Sequence, residues 1–258
     1  MRSVIIIPAL NEEAAIGGVV RSIRPKVDQV IVVDNGSVDR TAERASEAGA
    51  FVIHVPKAGY GRACLAGVQA SRDADLIIFM DGDGADDPND LNALIDPILN
   101  GGMDFVVGSR LLGTTERGAL TFAQRFGNRL ATGLMRMIWG GRFTDLGPFR
   151  AMTRSAYDTL NMQAPTYGWT VEMQVRALKQ GLRYGEVPVT YRRRIGISKI
   201  SGTVKGVVLA GWFILGTIFK EALLVHKIRV SESAPQSNPN SGPPMPPTAP
   251  LPERLKSI

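Results

Sequence analysis

Short apolar runs alternate with helical patterns along the first 110 residues of the chain. Runs rich in β-branched residues predict five strands, at Val4–Ile7, Val30–Val33, Phe51–His54, Leu76–Met80 and Phe105–Val107. Apolar residues at helical spacing between these runs predict helices over about residues 14–23, 41–48, 61–71 and 91–99. The strands have no polar alternate, so both faces of their sheet should be covered. The pattern therefore predicts an α/β fold with a mostly parallel central sheet and helices on both faces.

The second half of the chain is less regular. Its patterns predict helices over about residues 122–138 and 169–180 and a strand around residues 184–191. From Ser231 onward the chain is rich in serine, proline and asparagine, a composition that cannot bury enough apolar surface to order itself. We therefore expect a single catalytic domain over residues 1–203, a helix within residues 204–230 and a disordered tail over residues 231–258.

Composition and charge narrow the class of protein. With 258 residues, of which 44% are hydrophobic, the chain can bury a full core. Its single cysteine, Cys64, excludes an intrachain disulfide and suits a reducing cytoplasm. The first apolar stretch ends at Asn11, before a signal-peptide core would be complete, so we expect no export. The net charge of +6 implies an anionic partner, but the basic residues cluster late and no nucleic-acid-binding motif is present, which disfavours nucleic acid.

Polar segments follow the first two predicted strands. Pro-Ala-Leu-Asn-Glu-Glu (residues 8–13) follows the first strand, and Asp-Asn-Gly-Ser-Val-Asp-Arg-Thr (residues 34–41) follows the second. Ligands of parallel α/β sheets bind at the carboxyl ends of the strands, where these segments lie. The alternative is ordinary helix capping by Ser37 or Asp39.

A paired-carboxylate segment follows the fourth predicted strand. Asp81 and Asp83 are separated by one glycine, so both carboxylates can reach one hard cation, with a nucleotide diphosphate completing its oxygen shell. Glycines at positions 82 and 84 leave the backbone free to turn. An acidic helix-capping turn is the alternative, with Asp86 or Asp87 as the cap before a proline.

A glycine motif at residues 59–64, Gly-Tyr-Gly-Arg-Ala-Cys, resembles a dinucleotide-binding fingerprint. The third small position is Cys64, however, and the motif follows the third predicted strand instead of the first. The sequence therefore assigns it no dinucleotide.

The order of these motifs resembles the family 2 glycosyltransferases, which have the nucleotide-sugar-binding GT-A fold. Gly-Ser-Arg at residues 108–110 belongs to the same ordered set. Within that family, the chain is similar to the polyprenyl-phosphate (dolichyl-phosphate) mannose and glucose synthases over about residues 3–203. The segments that carry this second likeness are Asp145 to Arg150, Glu172, Glu186 to Pro188 and Arg193 to Lys199.

The resemblance implies roles for individual residues. It implies that the nucleotide-sugar donor is bound by Pro8, Glu12, Asp34, Asp39, Asp81 and Arg110, and that Asp81 and Asp83 hold Mg²⁺ or Mn²⁺ on its diphosphate. It also implies that the basic loop from Arg193 to Lys199 closes over phosphate. Many synthases carry glutamine where this chain has Ala85, which leaves one ligand position to Asp86 or to water.

The catalytic candidates depend on the acceptor. A hydroxyl acceptor needs a carboxylate to remove its proton, whereas a lipid phosphate already carries a nucleophilic oxygen. Asp145, before a Gly-Pro turn, is the best candidate base, with turn capping as the alternative. The resemblance alone adds Glu172, which is otherwise a surface glutamate. Arg193 and Lys199 are the candidate phosphate clamp, and a solvated basic face is the alternative reading.

The apolar stretch at residues 206–219 is too short to cross a bilayer core of ~30 Å at ~1.5 Å per residue. Trp212, with lysines and an arginine at positions 205, 220, 227 and 229, suits a helix lying on an acidic membrane surface. A core helix or a contact between subunits fits the pattern equally well.

These observations predict a metal-dependent hexosyltransferase that uses a UDP- or GDP-sugar and Mg²⁺ or Mn²⁺. The favoured acceptor is a polyprenyl phosphate, met by a cytoplasmic enzyme at the inner face of the cell membrane. The alternatives are a soluble hydroxyl or glycan acceptor, and a non-catalytic nucleotide-sugar-binding or scaffold protein. A sugar nucleotidyltransferase is disfavoured because no Gly-Thr-Arg loop follows the first strand.

Overall fold

A computed structural model describes residues 1–196 and 211–223, all of which belong to one compact unit. Its centre is a seven-stranded sheet in the order β3-β2-β1-β4-β6-β5-β7. The strands are β1 (Ser3–Ala9), β2 (Gln29–Asp34), β3 (Phe51–His54), β4 (Leu76–Phe79), β5 (Phe105–Ser109), β6 (Arg150–Thr153) and β7 (Tyr184–Pro188). All neighbouring pairs are parallel except those made by β6, which runs antiparallel to both β4 and β5. The prediction of a mostly parallel α/β sheet is confirmed.

The helices connect the strands where the sequence pattern predicts them, with the exception of α6. They are α1 (Ile16–Ile23), α2 (Thr41–Glu47), α3 (Tyr60–Ala70), α4 (Leu91–Leu99), α5 (Phe122–Trp139), α6 (Arg154–Leu160) and α7 (Trp169–Lys179). Residues 211–223 form a further helix, α8. Short 3-10 turns at Arg24–Lys26 and Pro88–Asp90 lead into β2 and α4.

Two apolar cores cover the two faces of the sheet, because central strands such as β1 and β4 bury side chains on both sides. On one face, α3, α5, α6, α7 and α8 contribute buried residues such as Cys64, Met135, Trp169 and Ile218. On the other face, α1, α2 and α4 contribute residues such as Ile16, Ala45 and Leu94. Cys64 is completely buried in the first core, as is common for a free cysteine.

The sequence pattern gave no sign of β6 and α6. β6 is only four residues long and begins with Arg150, so it has no apolar run that would mark a strand. Arg150 is nevertheless fully buried, and its guanidinium donates to the carbonyl oxygens of Leu146 and Gly147. α6 begins directly after β6, where the Thr153 hydroxyl accepts the N–H of Ala156.

Helix α8 packs against α7 with one side and leaves the other side exposed. Ile218 is fully buried, and the buried carboxylate of Glu221 forms ion pairs with Arg176 (3.1 Å) and Lys179 (2.6 Å) of α7. Trp212 and Phe219 lie on the exposed side. The packed side fits the core-helix alternative from the sequence. The exposed apolar side leaves the membrane-surface and subunit-contact alternatives as predictions. The predicted tail over residues 231–258 lies outside the described residues.

Within residues 1–196 and 211–223, no helix is both long enough and apolar enough to cross a membrane.

Candidate active site

The polar segments from the sequence meet at one edge of the sheet. Strands β2, β1 and β4 are neighbours and parallel, so the residues at their carboxyl ends lie side by side. Asp34 is the last residue of β2 and pairs with Ala9 of β1, while the segment beginning at Asp81 leaves the sheet just after β4.

Asp34 is buried at this edge, and the likewise buried Pro8 of β1 pairs with its neighbour Val33. One carboxylate oxygen accepts the N–H of Ser37 at 3.1 Å, and the other lies 3.1 Å from Nδ1 of His54. His54 ends β3 and was not singled out from the sequence, because a lone histidine at the end of an edge strand carries no motif.

Asp39 and Glu12 connect the first two polar segments. The Asp39 carboxylate accepts the N–H of Thr41 at 3.0 Å, at the start of α2. The Thr41 hydroxyl in turn accepts the N–H of Glu12 at 2.7 Å. Arg40 occupies the N-cap position of α2 and its side chain makes no capping hydrogen bond, so Asp39 binds the start of the helix from one residue earlier. Its contact with a donor remains a prediction.

Three aspartates cluster after β4. Asp83 and Asp86 are buried and Asp81 is half-buried. Burial, and then repulsion from Asp83, raise the pKa of Asp81 to about 7. Burial, followed by the charges of the other two aspartates, also raises the pKa of Asp86. Asp87 makes the cap considered from the sequence, since its carboxylate accepts the N–H of Asn89.

The acidic cluster has an unused oxygen. Oδ1 of Asp86 is buried and has no hydrogen-bond partner, which is costly unless a cation or a proton donor arrives. In the part of the chain that the structure describes, no three acidic, histidine or cysteine side chains form a ready-made metal cage. A cation here would therefore take further oxygens from a bound ligand, as the Asp-x-Asp spacing suggested.

Among the described residues, Arg194 forms an ion pair with Asp83 of this cluster. Its guanidinium lies 2.9 Å from Oε1 of Glu12 and 3.2 Å from Oδ2 of Asp83. The predicted clamp residue Arg193 instead has a 65% exposed side chain, which donates to the Arg117 carbonyl oxygen. Lys199, the other predicted clamp residue, lies outside the described residues.

Arg110 and Asp145 form a buried, two-pronged ion pair. The Arg110 guanidinium donates to both Asp145 oxygens, each at 2.8 Å, and the Arg110 backbone N–H donates to one of them at 2.8 Å. Burial alone would raise the pKa of Asp145, but the charge and hydrogen bonds of Arg110 outweigh it and hold this pKa below its usual range. Arg110 also lies over the ring of Tyr191, 4.9 Å from its centre.

The turn that carries Asp145 is held by polar side chains from other elements. The Glu186 carboxylate accepts the backbone N–H groups of Thr144 at 2.9 Å and Asp145 at 3.1 Å. The Gln174 amide donates to the Asp145 carbonyl oxygen at 2.8 Å. Only 1% of the Asp145 side chain is exposed, and its carboxylate binds Arg110 directly. Its role as a base remains a prediction.

Glu172 lies on α7 behind the cavity and is buried. Its carboxylate accepts the N–H groups of Gln163 (3.0 Å) and Ala164 (2.7 Å) and lies 2.9 Å from Arg176. These contacts fix the loop before α7, so Glu172 has a structural role in positioning that loop. A catalytic part for it remains a prediction.

A cavity of about 460 Å³ connects these charged groups to an apolar region. Its polar end is lined by Tyr60, Asp81, Asp83, Arg110, Tyr191 and Arg194. Its apolar end lies between α5 and α8 and is lined by residues that include Phe126, Leu130, Ile214 and Leu215. Carboxylates and guanidinium groups at one end fit a cation and phosphates, and the other end fits hydrocarbon.

Comparison with known proteins agrees with this geometry. Glycosyltransferase AglJ of Haloferax volcanii is 34% identical over 192 residues, 74% of this chain and 63% of its own length. Polyprenol monophosphomannose synthase of Mycolicibacterium smegmatis is 31% identical over 219 residues, covering 78% of this chain and 82% of that protein. This chain spans less than two thirds of the first of these relatives.

Among solved structures, glucosyl-3-phosphoglycerate synthase from Mycobacterium tuberculosis, in complex with Mn²⁺ and uridine-diphosphate-glucose, has a similar fold. It superposes with a TM-score of 0.69 at 25% identity, covering 86% of this chain and 79% of that one. The model of the family described as glycosyl transferase family 2 matches residues 4–160, more than half of the chain. With the sheet order, the strand-end motifs and the charged cavity in place, this match shows that the chain belongs to glycosyl transferase family 2.

Proposed function

We propose that this glycosyltransferase moves a hexose from a UDP- or GDP-sugar to a polyprenyl phosphate with the help of Mg²⁺ or Mn²⁺. The observation that carries the proposal is the cavity, whose charged end adjoins the strand-end motifs and whose apolar end opens between α5 and α8. The phosphates of the donor and of the acceptor need charged groups, and the lipid chain of the acceptor needs an apolar surface beside them. The name of the mycobacterial mannose synthase supports the acceptor, and the Mn²⁺ and uridine-diphosphate-glucose of the structural neighbour support the donor.

The aspartates suit the proposed cation. Asp81 and Asp83 offer hard oxygen ligands, and the unpartnered Asp86 oxygen is a third acceptor beside them. When bound, the cation supplies neutralisation of the charge that develops on the leaving diphosphate. Arg110 and Arg194 line the same end of the cavity and would stabilise the remaining negative charge.

The reaction needs no protein base when the acceptor is a phosphate. One of its oxygens forms the new bond to the anomeric carbon, while the bond from that carbon to the diphosphate breaks and the nucleoside diphosphate leaves with the electron pair. The ion pair with Arg110 lowers the pKa of Asp145 against the effect of burial, which weakens this residue as a base. Because Arg110 occupies the carboxylate of Asp145, the geometry favours a phosphate acceptor over a hydroxyl acceptor.

A screen of donors against acceptors tests the proposal. Purified full-length protein with Mn²⁺ would be incubated with UDP- and GDP-hexoses and either a polyprenyl phosphate or soluble sugars. We expect transfer to the lipid phosphate. Efficient transfer to a soluble hydroxyl alone would favour the second acceptor class, and neither transfer nor donor hydrolysis would favour a non-catalytic binding protein.

The outer face of α5 supports a membrane encounter. Its exposed apolar side chains include Phe122 and Met137, which are 85% and 75% exposed, and Phe126, which also reaches the cavity. The 18 residues of α5 include three arginines and no acidic residue. Together with the exposed Trp212 of α8, this cationic apolar face suits the interface of an acidic lipid bilayer.

Changing this face should weaken membrane binding without touching the cavity. We expect Phe122→Asp with Met137→Asp to reduce sedimentation with acidic vesicles several-fold, because both apolar contacts are lost and two negative charges are added. Transfer to a short-chain, water-soluble polyprenyl phosphate should persist. Leu99→Asp is the matched control, since Leu99 is exposed on α4, at the opposite face of the sheet. Unchanged vesicle binding by the double variant would exclude α5 as the contact surface.

The two neighbouring arginines provide a second matched comparison. Arg194→Gln should lower kcat/KM about 10- to 100-fold, because its charge lies within the cavity beside Asp83, and a charge-assisted contact contributes ~1.5–3 kcal/mol. Arg193→Gln removes the same charge from the exposed side and should change kcat/KM less than about threefold. The reverse order of effects would restore the clamp role predicted for Arg193.

A further inference from the structure

The glycine motif that carries no dinucleotide has a clear structural use. Gly59 and Gly61 flank Tyr60 at the start of α3, where the chain packs against the backbone of residues 164 and 165. A Cβ atom on Gly61 would lie 2.0 Å from the Ala164 carbonyl oxygen, and one on Gly59 would lie 2.5 Å from the Pro165 carbonyl oxygen. The turn therefore requires glycine at both positions.

The position of Tyr60 is fixed from two sides. The loop on which its turn packs is held by the buried Glu172 carboxylate, through the N–H groups of residues 163 and 164. The Tyr60 ring meets the fully buried ring of Trp169 edge-on, with centres 6.1 Å apart. Its hydroxyl points into the cavity and donates to Oδ1 of Asp81 at 3.0 Å.

This hydrogen bond restricts one of the proposed metal ligands. Asp81 lies beside Asp83 and Asp86, whose negative charges repel it, so an unrestrained Asp81 side chain would turn away from them. A donor on Oδ1 holds the carboxylate in place and leaves Oδ2 for another partner. Partners of this kind orient metal-ligating carboxylates, and their loss typically costs ~10- to 100-fold in metal affinity or activity.

We propose that Tyr60 is a positioning residue for the donor and its cation, which orients the Asp81 carboxylate through its hydroxyl. This inference rests on the proposed function, since it assigns Asp81 to the cation. It gives the motif at residues 59–61 a purpose: the two glycines place a rigid phenol beneath the first aspartate of the Asp-x-Asp pair.

Mn²⁺ affinity in the presence of UDP or GDP tests the proposal without relying on turnover. Free Mn²⁺ is measured by electron paramagnetic resonance in titrations of the full-length wild type and Tyr60→Phe. We expect the Mn²⁺ dissociation constant of the variant to rise about 10-fold or more. In transfer assays, the Mn²⁺ concentration for half-maximal rate should rise by a similar factor, while kcat at saturating Mn²⁺ falls much less.

Tyr157→Phe is the matched control. It removes the hydroxyl of another buried tyrosine on the same face of the sheet, whose ring packs near Phe79 at 6.4 Å between centres. Mn²⁺ affinity should stay at the wild-type value. Because Tyr60→Phe keeps the ring that meets Trp169, its melting temperature should stay within a few degrees of wild type, which separates positioning from a loss of fold.

Two results would overturn the proposal, and they can be told apart. Wild-type Mn²⁺ affinity in Tyr60→Phe, with a wild type that binds Mn²⁺ and loses it in Asp83→Asn, would refute the part assigned to Tyr60 alone. A wild type that binds no Mn²⁺ with either nucleotide would refute the metal site itself, and the inference with it.

Discussion

Replacing Asp83 with asparagine is expected to lower the turnover number about 10³-fold while the protein stays folded. A bound divalent cation contributes several kcal/mol of charge stabilisation, and each 1.36 kcal/mol corresponds to a factor of ten in rate. Asparagine keeps the size of the side chain and the oxygen that accepts the N–H of Ala85 at 2.9 Å, so the turn itself should survive. Asp81→Asn should have an effect of similar size. The measurements are kcat with saturating donor and Mn²⁺, and the melting temperature.

Asp158→Asn is the control for this prediction. Asp158 pairs with Arg154 on the surface of α6, away from the cavity, so its loss should change kcat little. Near-normal turnover by Asp83→Asn or Asp81→Asn with an Mn²⁺ donor complex would contradict the assignment of the metal to this pair.

The second large effect is expected at the buried ion pair. Asp145→Asn should lower the free energy of unfolding by about 3 kcal/mol, because it leaves the charge of Arg110 buried without its partner. The same change frees Arg110 from two carboxylate oxygens, so kcat/KM should fall as well. Chemical denaturation and steady-state kinetics on the same preparation would measure both losses.

The joint loss separates the two readings of Asp145. A residue that acts only as a base would lose turnover on substitution and keep its stability. Asp73→Asn is the control, since the ion pair of Asp73 with Arg2 is exposed on both sides and should contribute less than ~1 kcal/mol. An Asp145→Asn protein of wild-type stability that no longer glycosylates a hydroxyl acceptor would support the base and weaken the lipid-phosphate proposal.

The group of polar residues at one edge of the sheet could be predicted from sequence because periodicity and motif position agree there. Each polar segment directly follows an apolar strand, and parallel strands bring their carboxyl ends to one edge whatever the details of packing. The adjacency of Asp34, Asp81 and Asp83 needs only that rule. The same rule could not find Tyr60, which reaches the edge from the start of α3 through a contact with Asp81.

The rest of the site depends on contacts that have no local signature. In an extended segment, neighbouring side chains point in opposite directions, so a run of three arginines does not reveal which one faces the site. The structure turns Arg194 inward to Asp83 and Arg193 outward to Glu116. Arg110 and Asp145 are 35 residues apart in the sequence, and their pairing depends on β6 running antiparallel beside β5. No apolar run in the sequence predicts β6.

The reversed strand β6 also marks a seam for enzyme engineering. The donor-side motifs follow β2, β1 and β4, whereas α5 and the Asp145 turn belong to the chain between β5 and β7. Several contacts between described residues cross this boundary. β6 pairs with β4, the turn at Gly59–Gly61 packs on residues 164 and 165, and the backbone N–H groups of Arg192 and Ile195 donate to the carbonyl oxygens of Ala85 (2.8 Å) and Asp83 (2.9 Å). An exchange of residues 111–190 between relatives must therefore preserve β6, residues 164 and 165 and Trp169, together with the stretch from Tyr191 to Ile195, because these segments contact the other half.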